Sequence, residues 1–147
     1  MKTFMLDTCI CSFIMREMQK SVLERLAAEV VSGNRIVISA ITYAEMRYGQ
    51  IGKKASPKLG PAIDEFVRRL NGILPWDAAM VGKTLEVRQQ LAALGTPSRN
   101  NDAAIAAHAL TVGCVLVTNN TREFSRMAGL LYEDWVHLVC RGKTDHE

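Results

Sequence analysis

Cys114-Val115-Leu116-Val117 is an unbroken apolar run set between Gly113 and the polar turn Thr118-Asn119-Asn120. Four apolar residues without alternation suit a strand covered on both faces, and such strands belong to parallel sheets flanked by helices. The residues upstream fit this placement. From Asn100 or Asn101, either of which offers an N-cap side chain, Ile105, Ala109 and Val112 recur at helical spacing. Gly113 stands where a helix C-terminus takes a left-handed residue. Asp102 shares the stripe of Ile105 and Ala109, so its carboxylate is expected to face the sheet edge; Asn120 follows the strand's C-terminal end. In an open α/β sheet that edge is where sites form.

The rest of the chain repeats the alternation. Residues 3–6 read as a strand ending at Asp7-Thr8, and residues 9–15 as the start of a helix. Residues 21–32 form an amphipathic helix with Leu23, Leu26 and Val30 on one stripe and Gly33 as its stop. Residues 36–38 are a second buried strand, after which Ser39 caps a helix through Tyr48. A loop over 50–56 leads to a long helix opened by Ser56-Pro57, with Leu59, Ile63, Phe66, Val67 and Leu70 as its core face. Ile73-Leu74-Pro75 is a brief edge strand; Asp77 then caps a helix to about Leu94, buried along Met80, Val87, Leu91 and Leu94. Leu130-Leu131-Tyr132 is a last strand, followed by Glu133-Asp134-Trp135. Short apolar strands alternating with helices give an α/β fold with a parallel sheet. The 147 residues, 48% of them hydrophobic, suffice for one domain over 1–135; residues 136–147 are a charged tail, expected to be disordered from Arg141 onward.

Cysteines at 9, 11, 114 and 140 form no C-x-x-C pair, which suits a reducing cytoplasm; Cys9 and Cys11 are read as core thiols and Cys114 as part of a strand. His108 is read as a satisfied helix histidine facing the sheet. An acid at Asp7 interrupts any signal-peptide core, and no run approaches the ~18 apolar residues of a membrane span. A net charge of +3 permits a polyanionic partner without requiring one.

Three acids arrive at the same sheet edge. Asp7 ends the first strand, Asp102 opens the helix before the last core strand, and Glu45 lies on an inward stripe between Ile41 and Tyr48. A carboxylate there is costly unless it is paired or ligates something. Each has a simpler reading: Asp7 as a helix cap, Asp102 as a first-turn acid, Thr42 to Glu45 as a capping box, Asn120 as a turn residue. Together they describe a pocket whose carboxylates raise each other's pKa until a cation sits among them. Oxygen-only ligands select Mg²⁺, with Mn²⁺ as a substitute, over zinc. Such an ion activates water and holds a phosphate oxygen, the requirements of phosphodiester hydrolysis.

Four stretches carry a specific resemblance: Phe4-Met5-Leu6-Asp7-Thr8, Ser39-Ala40-Ile41-Thr42-Tyr43-Ala44-Glu45-Met46, Asn101-Asp102-Ala103-Ala104-Ile105-Ala106-Ala107-His108-Ala109 and Val117-Thr118-Asn119-Asn120-Thr121-Arg122-Glu123-Phe124. The sequence resembles the VapC family of PIN-domain ribonuclease toxins over residues 2–135, and is most similar to an enterobacterial branch that cuts initiator tRNA in the anticodon stem-loop. The resemblance implies a PIN-like three-layer α/β/α domain with a central parallel sheet. It implies a toxin whose catalytic set is Asp7, Glu45, Asp102 and Asn120, with Asp7 and Asp102 as the metal ligands. It further implies a VapB-type antitoxin partner, a homodimer and a toxin–antitoxin hetero-oligomer. Asn120 stands where many relatives carry Asp, Cys9 where Asn is frequent, and Ser98-Arg99-Asn100 where Ile-Gly-Pro is common. Arg99, Arg122 and Arg126 are candidate phosphate contacts. The competing reading is a catalytically impaired PIN-like module that binds RNA or a partner. A phospho-acceptor domain fits less well, since no second acid lies near Asp7 and no late-strand Lys follows Val117.

Overall fold

The computed structural model of the protein describes residues 1–98, 101–137 and 139–141. Its sheet has six strands in the order β3-β2-β1-β4-β5-β6: β1 (Thr3–Leu6), β2 (Arg35–Ser39), β3 (Gly72–Leu74), β4 (Val115–Val117), β5 (Tyr132–Asp134) and β6 (Val139–Arg141). The first five pair in parallel, and β6 returns antiparallel to β5. The sheet therefore continues beyond residue 135, the expected end of the domain, and includes Val139–Arg141, which had been assigned to the tail. The expected disorder of residues 142–147 lies outside the described residues. Strand β5, expected over Leu130-Leu131-Tyr132, begins later, at Tyr132, and pairs with β4 through Leu116↔Tyr132 and Val117↔Glu133.

Alternate strand residues feed two separate cores, as the pleat dictates. Met5, Val37 and Leu116 point to one face, where they meet α5 (Ala79–Ala93), α6 (Asp102–Val112) and α7 (Thr121–Phe124). Phe4, Leu6, Ile36, Ile38 and Val117 point to the other, against α1 (Thr8–Met15), α2 (Lys20–Val31) and α4 (Leu59–Arg68). This is a three-layer α/β/α arrangement. Met5, Leu6 and Leu116 are fully buried, so truncating any of them to Ala should cost about 2–5 kcal/mol. Helix α3 (Ala40–Tyr48) belongs to neither layer alone: Ile41 packs with the first core and Met46 with the second. It thus lies across the C-terminal edge of the sheet.

Some helix faces differ from expectation. Val30, Leu94 and Val112, assigned to buried stripes, are exposed by 56%, 58% and 43%. In α2 Leu26 packs against the core as expected, joined there by Val22 and by Arg25, which reaches across to Glu133 on β5 at 2.8 Å. Arg25 also stacks over Trp135, whose indole Nε1 donates to Glu133, so Glu133-Asp134-Trp135 is a packing device. Helix α4 starts at Leu59, later than Ser56-Pro57 suggested.

Candidate active site

The strand order reverses between β1 and β4: chain order runs outward from β1 through β2 to β3 on one side, and from β4 on the other. The two C-terminal ends are tied by the Asp7 backbone N–H, which donates to the Val117 carbonyl at 3.0 Å. A crevice forms where such a reversal occurs. Asp7 sits in it as the N-cap of α1, its Oδ1 accepting from the Ile10 N–H at 3.1 Å and from the Cys9 thiol at 3.0 Å. Asp7 therefore caps α1 at the switch point of the sheet. Cys9, expected in the core, is only half-buried and lies against this carboxylate.

Glu45 is placed by two partners. The Thr8 hydroxyl donates to its Oε1, and the Asn101 side-chain amide donates to its Oε2 at 3.0 Å. The capping-box reading of Thr42 to Glu45 fails, because α3 is capped by Ser39 and Glu45 lies inside the helix. Asn101 stands at the N-cap position of α6, but its side chain makes no capping bond there; the amide turns to Glu45 instead. The alternative cap, Asn100, lies outside the described residues, as does Arg99. Asp102 is the first residue of α6, next to this contact, and is half-buried. Asp7, Glu45 and Asp102 thus come to one edge through Thr8 and Asn101. Asn120 ends at the same edge as N-cap of α7, its backbone N–H donating to Thr118 Oγ1 at 2.9 Å. Its side chain is exposed and makes no hydrogen bond to the three acids among the described residues.

Burial raises the Asp7 pKa, and the nearby negative charge of Glu45 adds to that; hydrogen bonds from Thr118, Cys9 and Ile10 oppose the rise. The Cys9 thiol is pushed up to about 12 by burial, with the Asp7 charge contributing. Among the described residues neither Asp7 nor Glu45 forms an ion pair. Two neighbouring carboxylates with no basic partner invite a cation. No three His, Cys, Asp or Glu side chains among the described residues form a ready metal cage. This is compatible with a hard ion held by one or two carboxylates and completed by water and phosphate. Thr8, Thr118 and Asn101 are not legible as site residues in the sequence, where Asn101 reads as a helix cap. Thr8 adjoins Asp7 and Thr118 ends β4, positions that could have marked them; only the folded contact reveals Asn101.

On the α1–α2–α4 face, with Met1, Asn34, Arg35 and Asn71 from the N-terminal ends of β1, β2 and β3 in its wall, lies a cleft of about 1010 Å³, lined by Ile14, Met15, Leu23, Leu26, Val30 and Phe66 among others. Ile10 takes no part in the cleft and is fully buried in the core.

The PIN domain family model matches residues 4–130. The tRNA(fMet)-specific endonuclease VapC of Shigella flexneri is 39% identical over 135 residues, 92% of this chain and 99% of that protein. The chain belongs to the VapC family of PIN-domain ribonucleases. Ribonuclease VapC1 of Haemophilus influenzae strain R2866 is 35% identical over 134 residues, covering 90% of this chain and 97% of the relative. Among solved structures, VapBC2 from Rickettsia felis bound to a promoter DNA fragment matches with a TM-score of 0.81 at 34% identity, covering 90% of this chain and 98% of that one. DNA-bound VapBC from Salmonella typhimurium matches at 0.81 with 37% identity, covering 92% and 99%. PIN nucleases generally depend on a divalent metal. Among the described residues, no helix is long and apolar enough to cross a membrane.

Proposed function

We propose that this VapC-family chain is the toxin of a toxin–antitoxin pair, a Mg²⁺-dependent endoribonuclease that cleaves initiator tRNA in the anticodon stem-loop and so blocks translation in the cytoplasm. The observation that carries the reading is the meeting of Asp7, Glu45 and the start of α6 at the sheet's switch point, joined through Thr8 and Asn101. Asp7 and Asp102 would hold the Mg²⁺, for which Mn²⁺ can substitute. When bound, the ion supplies charge for the scissile phosphate and lowers the pKa of a water. Glu45, fixed at both oxygens, would orient an attacking water and take its proton as the P–O3′ bond breaks, with solvent protonating the leaving oxygen to give a 5′-phosphate and a 3′-hydroxyl. Asn120 and the neighbouring Glu123 steady the site's outer side, and Arg122 and Arg126 meet the RNA backbone. The apolar cleft between α1, α2 and α4 takes an apolar helix of a VapB-type antitoxin, which then extends an Arg toward the carboxylates. A homodimer of this chain forms the core of the hetero-oligomer.

The test is cleavage of purified initiator and elongator tRNAs by the purified chain in Mg²⁺, with the new ends mapped. A single cut in the initiator anticodon stem-loop, abolished by EDTA and restored by Mn²⁺, is expected. Equal cutting of all RNAs would refute the substrate, and no cutting in any divalent metal would refute the nuclease.

A further inference from the structure

Helices α3 and α6 are joined at two points. At one, the Asn101 amide donates to Glu45 Oε2 at 3.0 Å. At the other, His108 Nδ1 lies 2.8 Å from Ser39 Oγ, which also accepts the Ile41 N–H as the cap of α3. Both His108 and Ser39 are fully buried. From Ser39 to Glu45 the chain advances ~9 Å along α3, and from Asn101 to His108 ~10 Å along α6, at 1.5 Å per residue. The near-equal spans and the crossed pairing, early α3 with late α6 and the reverse, place the two helices antiparallel. Two fixed points set the distance between the helices and also the rotation of one against the other.

We propose that His108 is a positioning residue for the nuclease site: with Ser39 it forms the distal half of a two-point brace that fixes the Glu45 carboxylate relative to Asp102. His108 Nε2 supports this assignment, because it is buried without a hydrogen-bond partner among the described residues. An apolar side chain at 108 would spare that desolvated nitrogen its cost, so the histidine's contribution lies in the Nδ1 contact. Burial also lowers the His108 pKa, which keeps the ring neutral and the brace uncharged at neutral pH. The arrangement matters because a misplacement of about 1 Å at a catalytic carboxylate is enough to cost up to ~10²-fold in rate. Thr42, the neighbouring buried side chain on α3, has an Oγ1 that is likewise without a partner among the described residues, and so offers no substitute anchor.

This inference rests on the nuclease reading above, and its test separates the two. The purified chain is compared with His108→Leu, which removes the contact, and with His108→Asn, whose side-chain amide reaches the place of Nδ1. Turnover, KM for initiator tRNA and Mn²⁺ affinity by calorimetry are measured on each. His108→Leu should lower kcat roughly tenfold and weaken Mn²⁺ binding several-fold, with KM within twofold, and His108→Asn should recover most of both. Ser39→Ala serves as the second variant if His108→Leu does not fold, with the same loss expected. Combining His108→Leu with Asn101→Ala should lose less than the product of the single effects, since each already frees Glu45. Values of kcat and Mn²⁺ affinity within twofold of the original for His108→Leu or Ser39→Ala overturn the brace while the nuclease stands. Failure of the unaltered chain to cleave RNA or bind Mn²⁺ overturns the nuclease and the brace together.

Discussion

Replacing Glu45 by Gln separates its chemistry from its architecture. Both carboxylate oxygens accept hydrogen bonds, from the Thr8 hydroxyl and from the Asn101 amide. Gln keeps the shape but turns one oxygen into a donor. Thr8 can answer by accepting instead, and Asn101 by rotating its amide, so both contacts survive. With the bonds kept, the stability change should stay within about 1 kcal/mol, roughly 2–5 °C in melting temperature for a chain of this size. The loss of negative charge also relieves Asp7, whose pKa Glu45 helps to raise, and that opposes any destabilisation. Turnover should nevertheless fall by ~10² or more, the usual cost of removing a positioned proton acceptor. Single-turnover cleavage of initiator tRNA in Mg²⁺, with thermal melts of the same samples, is the assay. A Gln variant retaining half the turnover would return Glu45 to a scaffold role. A Glu45→Ala variant no slower than Gln would show that the two bonds position nothing.

Asp7→Asn should abolish cleavage and raise the melting temperature in metal-free buffer at neutral pH. The sign follows from its raised folded pKa: the stability contributed by the protonated carboxyl is present below about 3.8 and lost as pH rises through the folded value, so a neutral Asn keeps it. Melts across pH 3–8 should show the gain vanishing at the acid end; Mn²⁺ should stabilise the original chain and leave the variant unmoved. Thr118→Val removes a hydrogen bond that holds the Asp7 pKa down, so the acid limb of the pH–rate profile should move to higher pH at limiting Mn²⁺ and return as Mn²⁺ is raised. An unshifted limb would take Asp7 out of the rate-controlling ionisation. Val30→Asp, at an exposed position lining the apolar cleft, should weaken antitoxin binding by calorimetry at least tenfold while cleavage persists. Unchanged affinity would place the partner elsewhere.

The strands and the acids were readable because each carries a local signature. Apolar runs without alternation marked β1, β2 and β4, and Gly113, left-handed at φ 74°, marked the end of α6. Asp7 and Asp102 could be placed because strand ends and helix starts of such a sheet share one edge. What escaped was set by contacts distant in sequence. The short apolar run Leu138-Val139-Cys140 was read with the charged residues that follow it, and only the free edge of β5 shows it as a strand. Asn101 looked like a helix cap, and only the approach of α3 gives its amide a carboxylate to prefer. Val30 satisfied the spacing of a buried stripe, yet Arg25 and Glu29 claimed the inner side of α2 through Glu133 and Asn34. His108 was legible as buried but not as half-satisfied, since the count of its partners depends on what surrounds Nε2.

The placement of β1 has a consequence for how this protein is made. Its Met5 pairs with Val37 on one side and with Leu116, over a hundred residues along the chain, on the other. The half of the sheet formed by β1, β2 and β3 can assemble as soon as the first 74 residues have left the ribosome, and it carries Asp7 and Glu45. Asp102 and the β4 end that closes against Asp7 come later, when most of the chain has been translated. At ~5–20 residues per second, the nascent chain spends several seconds holding an incomplete set of acids. The proposed nuclease thus has no complete set of acids until its own synthesis is nearly done.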